Sequence, residues 1–369
     1  MLHGVRFTQN RLLFLLLFIV LNNSYSTSHL AMSSTSDRSG SCSGMGKTVM
    51  ITGANGYIAS WICKQLLEKG YTIHVCVRDA SISAKVEHLR KLPNADTHLK
   101  LFSTGNLGET KGCFNEAMVD CDAIIHSATP LGTSGGDGEK KIFQPAIRAT
   151  QDLLDSITKT GKNVKTLILT SSMSSIAPRP EPEIKDESNW SDPVLQKTEG
   201  RWYGATKTTQ EQIVQKWVEN QADKEFKYAS ICPTVVLGPS LNTAAKPSGT
   251  QGKLQKWLTG DLPETAWNDS MSFVHVEDCA KMHVAALELP DASGRYMCLV
   301  ESLHWNEICA MLKEIHPKMK SVKPYEGGDK AKPTQFNLDK RNTLGIQFAP
   351  TVEILTDAVA QLHEMGELD

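Results

Sequence analysis

Ile51-Thr52-Gly53-Ala54-Asn55-Gly56-Tyr57-Ile58-Ala59 decides the fold. It follows a short apolar, β-branched run at 48–52 and opens a stretch of helical periodicity at 58–69 that stops at Gly70. A strand that turns through glycines straight into a helix lets a pyrophosphate approach backbone N–H groups at a helix N-terminus. Side chains at Gly53 or Gly56 would block that approach, whereas Ala59, in the third small position, still allows close helix–sheet packing. A glycine turn by itself is a weak signal. Its position between the first strand and the first helix makes residues 52–59 a dinucleotide-binding turn.

Outward from the turn, the rhythm of strand and helix continues. Apolar runs predict strands at 71–77, 122–126, 165–170 and 228–232. Helix-length segments lie around 114–119 and 147–158, and a long amphipathic helix at 203–218. Such alternation predicts an α/β fold, a Rossmann-type doubly wound parallel sheet. Beyond Gly238 the rhythm breaks. Residues 241–253 read as polar loop, a strand returns at 273–276 with a helix at 278–288, and 290–369 reads as short mixed elements. The expected organisation is a nucleotide domain over 46–238, rejoined by 273–288, with a smaller substrate-binding portion from 239–272 and 289–369.

The end of the second strand bears on which dinucleotide. An NAD site usually offers an acid there for the ribose 2′-hydroxyl. Here Arg78 precedes Asp79, and Lys85 follows seven residues after Arg78. A guanidinium clamps a 2′-phosphate with paired, charge-assisted hydrogen bonds, so the expected cofactor is NADP(H). The competing reading gives Asp79 the acid's role.

Tyr203 and Lys207 stand a turn apart on one face of the long helix. Ser172 ends a strand 31 residues before Tyr203, and parallel strands of this architecture end on the ligand side. A carbonyl that takes hydride must also gain a proton. Tyr203 can supply it, Lys207 is expected to lower the phenol's pKa, and Ser172 can hydrogen-bond the developing oxygen charge. Alone, Y-x-x-x-K is a frequent accident; with the glycine turn and the serine strand in order, it predicts catalysis.

The remaining composition excludes more than it identifies. The 369 residues carry a formal charge of −2, with no basic run interleaved with aromatics, so no nucleic-acid surface is expected. Nine scattered cysteines without a C-x-x-C pair predict neither a disulfide framework nor a metal site; Cys279 and His283, four apart on a helix, read as a packed pair. Residues 1–45 read as a leader: Arg6 and Arg11, an apolar run at 12–21, then a Ser/Gly-rich linker. Ten apolar residues suit a signal peptide for secretory or organelle entry better than a membrane span. The competing reading is a cytoplasmic protein whose working start is Met32 or Met45.

These motifs resemble the extended short-chain dehydrogenase/reductases, a group within the NAD-dependent epimerase/dehydratase superfamily, and especially its dihydroflavonol reductase and cinnamoyl-CoA reductase branch. The resemblance runs collinearly from about Thr48 to the C-terminus. It includes VRD (77–79), KVEHL (85–89), HSATP (126–130), LTSS (169–172), WYGATK (202–207), PTVVLGP (233–239), FVHVED (273–278) and SGRY (293–296). It implies Ser172, Tyr203 and Lys207 as the catalytic triad, with Lys207 also on the nicotinamide ribose. It implies Gly53, Asn55, Gly56, Tyr57 and Ile58 at the pyrophosphate, Arg78 and Lys85 at the 2′-phosphate, and Ala128 and Pro233 lining the cofactor cleft. Asn106, before Leu107, stands where the family often has an Asp at the adenine. Ala177 stands where dihydroflavonol reductases have Asn, and RWYGATK replaces the cinnamoyl-CoA reductase signature, so neither named activity is implied.

The expected function is an NADPH-dependent reductase of a small-molecule ketone or aldehyde. Its partner would be an apolar or aromatic carbonyl substrate, and its state a monomer or weak homodimer. Trp257, Trp267, Met271, Tyr296 and Trp305 are expected to wall the cleft. Few clustered basic residues beyond Lys246, Lys253 and Lys256 argue against an acyl-CoA. Two alternatives share the fold: a sugar epimerase/dehydratase or hydroxysteroid dehydrogenase, and a non-enzymatic NADP sensor. Arg78 argues against the first, and the intact Ser172, Tyr203 and Lys207 argue against the second.

Overall fold

The computed structural model describes residues 43–130, 137–221 and 225–369, so the leader reading of residues 1–45 falls almost wholly outside the described residues. Thr48–Thr52 forms β1, and Tyr57–Glu68 forms α1. The helix stops where Gly70 takes φ 82°, and the Gly70 and Tyr71 amides bond back to Leu67 and Leu66. Then follow β2 (Thr72–Val77), α2 (Ser83–Arg90), β3 (Leu99–Ser103) and β4 (Ala123–His126). Next come α3 (Gln144–Thr160), β5 (Thr166–Thr170), α4 (Trp202–Glu219) and β6 (Lys227–Pro233).

After Pro233 the chain forms β7 (Val235–Leu237), α5 (Gly249–Lys256), β8 (Ser270–His275) and α6 (Val276–Glu288). The last elements are β9 (Gly294–Cys298), β10 (Ser302–His304), α7 (Trp305–Ile315) and α8 (Thr351–Glu364). Seven strands pair in the order β9-β6-β5-β4-β1-β2-β3, every pair parallel.

Period-two alternation explains the double winding. Val49, Ile51, Val75, Ile125, Ile168 and Ile231 face one cluster with Ile62 and Leu66 of α1 and Met282 of α6. Met50, Cys76, Ile124, Leu167 and Leu169 face the other, with Leu153 of α3 and Val214 of α4. Strands covered on both faces read as continuous apolar runs. The order reverses between β1 and β4, which places the ligand crevice at their carboxyl ends.

The strand expected at 273–276 does not rejoin this sheet. It is β8, in a three-stranded sheet ordered β10-β8-β7. The strand that returns is β9, at the sheet edge, while α6 packs on α1 as a cover. Residues 249–253, read as part of a polar loop, belong to α5. The small sheet and α5, α7 and α8 share a second core built on Trp257, Phe273, Trp305, Leu312 and Leu355.

Candidate active site

The carboxyl ends of β1, β2, β4 and β5, with the start of α4, enclose one cleft of about 1080 Å³. The glycine turn forms its floor. Gly53 takes φ 66°, and a Cβ there would come within 2.9 Å of Ala128 Cα, so the β1 and β4 turns meet too closely for a side chain. At Gly56 a Cβ would lie 3.0 Å from the Gly53 carbonyl. Gly56 caps α1 without any side-chain bond to the first-turn amides, leaving them for an anionic ligand. Thr52 Oγ1 accepts from the Ala128 amide at 3.1 Å and meets His126 Nδ1 at 2.8 Å, tying the two turns together. Tyr57 turns its hydroxyl away, donating to the Gly238 carbonyl at 2.6 Å, and Trp61 Nε1 donates to Pro239 O at 2.8 Å. These two bonds anchor the turn to the smaller portion.

Gly53, Asn55, Gly56, Tyr57, Ile58 and Ala128 all line the cleft, as do Arg78, Asn106, Leu107 and Pro233. Lys85 does not; it stands exposed on α2, outside the lining. The Arg78 guanidinium makes no hydrogen bond or ion pair with the described residues. Asp79, the competing group, is committed to its own turn. Its Oδ1 accepts from Ser81 N at 2.9 Å and Ser81 Oγ at 2.6 Å. Those bonds, and more weakly the charge of Lys85, hold its carboxyl below the usual range. Asn106 Nδ2 donates to Glu109 Oε2 at 3.0 Å.

Ser172, Tyr203 and Lys207 come together in the same cleft. Ser172 Oγ accepts from Ser174 N at 3.1 Å and hydrogen-bonds the Tyr203 phenol. Tyr203 lines the cleft and keeps 40% of its surface open. Burial pushes its phenol above the ordinary value, and a hydrogen bond with Ser172 opposes that shift. The Lys207 ammonium, 6.0 Å from the ring centre, is spent elsewhere, donating at 2.7 Å to both Thr170 O and Thr129 Oγ1. Burial draws Lys207 down to about 8, against the raising charge of Glu211. His126, beneath the cleft, is buried and drawn down to about 3, first by desolvation and then by Lys207; it stays neutral at physiological pH.

Two groups that sequence reasoning passed over complete the site's foundation. Glu211, one turn beyond Lys207 and wholly buried, accepts from Ser171 Oγ, from Ser230 Oγ at 2.8 Å and from Arg295 Nε at 2.9 Å. Arg295 stacks 3.7 Å over the Trp190 ring and donates to the carbonyls of Glu187, Asn189 and Ser175. The available signal for Glu211 was its spacing, four residues on from Lys207.

The aromatic wall is a correction. Trp257, Trp305 and Tyr296 are core residues, Trp257 and Trp267 meet Trp305 edge-on at 5.0 and 4.5 Å, and neither these nor Met271 lines the cleft. Trp257 and Trp305 belong to the second core, against which Met271 packs, Tyr296 belongs to the core that includes α1, and Trp267 stays 39% exposed. The outer end is lined by Pro130, Met173, Thr234, Val235, Thr250 and Lys253. The Cys279/His283 pair is packed: His283 Nδ1 donates to Cys279 O at 2.7 Å, and Thr170 Oγ1 meets Nε2 at 2.8 Å. Among the described residues no group of three or more His, Cys, Asp or Glu is placed to hold a metal ion, and no helix is long and apolar enough to cross a membrane.

The family model described as "NAD dependent epimerase/dehydratase family" matches residues 49–298. The bifunctional dihydroflavonol 4-reductase/flavanone 4-reductase of Malus domestica is 34% identical over 313 residues, covering 83% of this chain and 87% of that one. Cinnamoyl-CoA reductase 2 of Arabidopsis thaliana is 35% identical over 329 residues, covering 88% and 94%. Among solved structures, Gre2 of Candida albicans in complex with NADPH superposes with a TM-score of 0.76 at 23% identity, over 86% of this chain and 99% of that one.

Proposed function

From the premise that the chain belongs to the NAD-dependent epimerase/dehydratase family, we propose that it is an NADPH-dependent reductase of a small-molecule ketone or aldehyde. The observation that carries this reading is the convergence of Ser172, Tyr203 and Lys207 with the side-chain-free glycine turn in one cleft. The named reductase relatives and the NADPH-bound structural neighbour support it.

The chain's residues fit an NADP nucleotide. The uncapped first turn of α1 would hold the pyrophosphate, Asn106 and Leu107 the adenine end, and Arg78 the 2′-phosphate. When bound, the nicotinamide supplies the hydride for the carbonyl carbon. Tyr203 Oη delivers the proton to the carbonyl oxygen, and its raised pKa keeps that proton in place at neutral pH. Ser172, which hydrogen-bonds Tyr203 in the protein alone, would turn its hydroxyl to the same oxygen and stabilise its growing charge. The Lys207 ammonium favours the phenolate that remains.

Arg78→Ala tests the cofactor. Charge-assisted bonds contribute on the order of 1.5–3 kcal/mol each, so the KM for NADPH is expected to rise roughly tenfold or more. NADH use should hardly change. Steady-state kinetics with both cofactors checks this, and an unchanged NADPH/NADH preference would remove Arg78 from the 2′-phosphate.

A further inference from the structure

Beneath the catalytic residues lies a buried polar assembly that the reaction as derived does not use. Glu211 is 0% exposed and Arg295 6%. Their ion pair joins three elements that carry the site. Through Ser171, the neighbour of Ser172, Glu211 holds the end of β5. Through its own backbone it belongs to α4, one turn after Lys207. Through Arg295 it reaches β9 at the sheet edge, and Arg295 in turn grips both the carbonyl and the hydroxyl of Ser175, at 2.9 and 3.0 Å. The loop bearing Ser172 is therefore held at both ends, at Ser171 and at Ser175, by the two members of one ion pair. Burying such a pair brings little net stability compared with apolar packing, so its place under the triad calls for another account.

We propose that Glu211 is a positioning residue for the reduction: its carboxylate keeps the proton on Lys207 and, with Arg295, holds the Ser172 loop against the catalytic helix. The proposal rests on the reading of Ser172, Tyr203 and Lys207 as the catalytic set. Lys207 loses most of its hydration in the site, and Glu211 is the negative group that offsets that loss. The other titratable groups facing these two leave the role to Glu211. On β4, His126 is neutral. On β6, Cys232, 3.8 Å from Glu211 Oε2, is pushed up to about 12, and Tyr228 is raised well above its ordinary value by burial. On α4, Tyr203 carries a raised phenol. From β9, Arg295 supplies the paired positive charge, and Glu187 accepts from the Met297 amide at 3.2 Å.

The sign follows directly. A buried negative charge makes proton loss harder at every neighbour. Its removal lets both Lys207 and Tyr203 lose protons at lower pH, and the unpaired Arg295 pushes the same way. Proton donation needs Tyr203 protonated and Lys207 charged, so the alkaline limb of the kcat profile must move down. That limb belongs to the coupled pair rather than to either residue.

The test is the pH dependence of kcat for NADPH-driven carbonyl reduction by the full chain and by Glu211→Gln, whose amide can accept from one of Ser171 and Ser230 through its oxygen and donate to the other's hydroxyl through its nitrogen. The expected result is a limb shifted down by about one unit or more, with a loss of roughly tenfold or more at pH 8 that shrinks as the pH is lowered. Glu211→Asp, which keeps the charge, should restore the limb more than it restores melting temperature. A purely structural role would lower kcat evenly at every pH, and an unmoved limb in Glu211→Gln overturns the proposal. Should that variant fail to fold, Glu211→Gln/Arg295→Gln removes both charges while keeping a donor at 295, and the same limb is read there. The catalytic reading is judged separately by Tyr203→Phe. If that variant keeps its turnover, the triad fails; if it loses turnover while Glu211→Gln keeps the native limb, only this proposal does.

Discussion

Tyr203→Phe is expected to lower turnover with NADPH by about 10²–10⁴-fold, the usual worth of general acid catalysis. The substitution removes one oxygen and leaves the ring. That ring lines the cleft with 40% of the residue exposed, so the fold and cofactor affinity should be nearly unchanged. The loss should therefore fall on kcat, with KM for NADPH within a few-fold of the native value, because the missing group acts only when the carbonyl oxygen gains its proton. Single-turnover kinetics checks this by separating hydride transfer from product release. Near-native turnover would show that the proton comes from elsewhere.

Arg295→Ala carries the largest expected effect on stability. The guanidinium neutralises a carboxylate that has no access to water and fills four further acceptor positions on the loop segments at 175 and 187–189. Breaking one side of a buried pair leaves the other charge uncompensated, at a cost of about 3–5 kcal/mol. That is a large share of the stability of an ordinary domain, so a partly unfolded population at physiological temperature is expected. Equilibrium denaturation at constant m-value measures it. A loss under about 1 kcal/mol would mean that water or a rearranged neighbour satisfies Glu211. The double replacement Glu211→Gln/Arg295→Gln should recover part of the loss, which loss of packing by the arginine stem alone would not allow.

The parts legible in the sequence are those whose physics is local. The run at 48–52, the turn glycines and the Gly70 stop each state their conformation within a few residues, and β1 and α1 lie where the pattern places them. Ser172, Tyr203 and Lys207 were legible because strand ends and one helix turn fix which side of the sheet they occupy. β3 was missed because its residues are only half buried, so no apolar run marks it. α7 and α8 were missed despite a signal: Trp305, Ile308, Cys309 and Leu312, and then Ile354, Leu355, Ala358 and Leu362, carry helical spacing between the prolines. The stretch 290–369 reads as short mixed elements because prolines interrupt it, whereas Pro350 caps α8. The aromatic wall failed because exposure toward a cleft and burial in a second core leave the same apolar residues in a sequence. Glu211 and Arg295 are 84 residues apart, and nothing local singles out that arginine among the 39 basic residues of the chain.

The proposed reduction requires that the cofactor be consumed, because the hydride would stay on the product carbon and the Tyr203 proton on its oxygen. An epimerase on the same fold would return its hydride and show no net consumption. The most direct test is therefore to incubate the protein with NADPH and a panel of aldehydes and ketones, following both cofactor absorbance and product. The expected result is equimolar NADPH loss and alcohol formation, abolished in Tyr203→Phe. Substrate conversion without net NADPH loss, or NADPH binding with no turnover of any carbonyl in the panel, would contradict it.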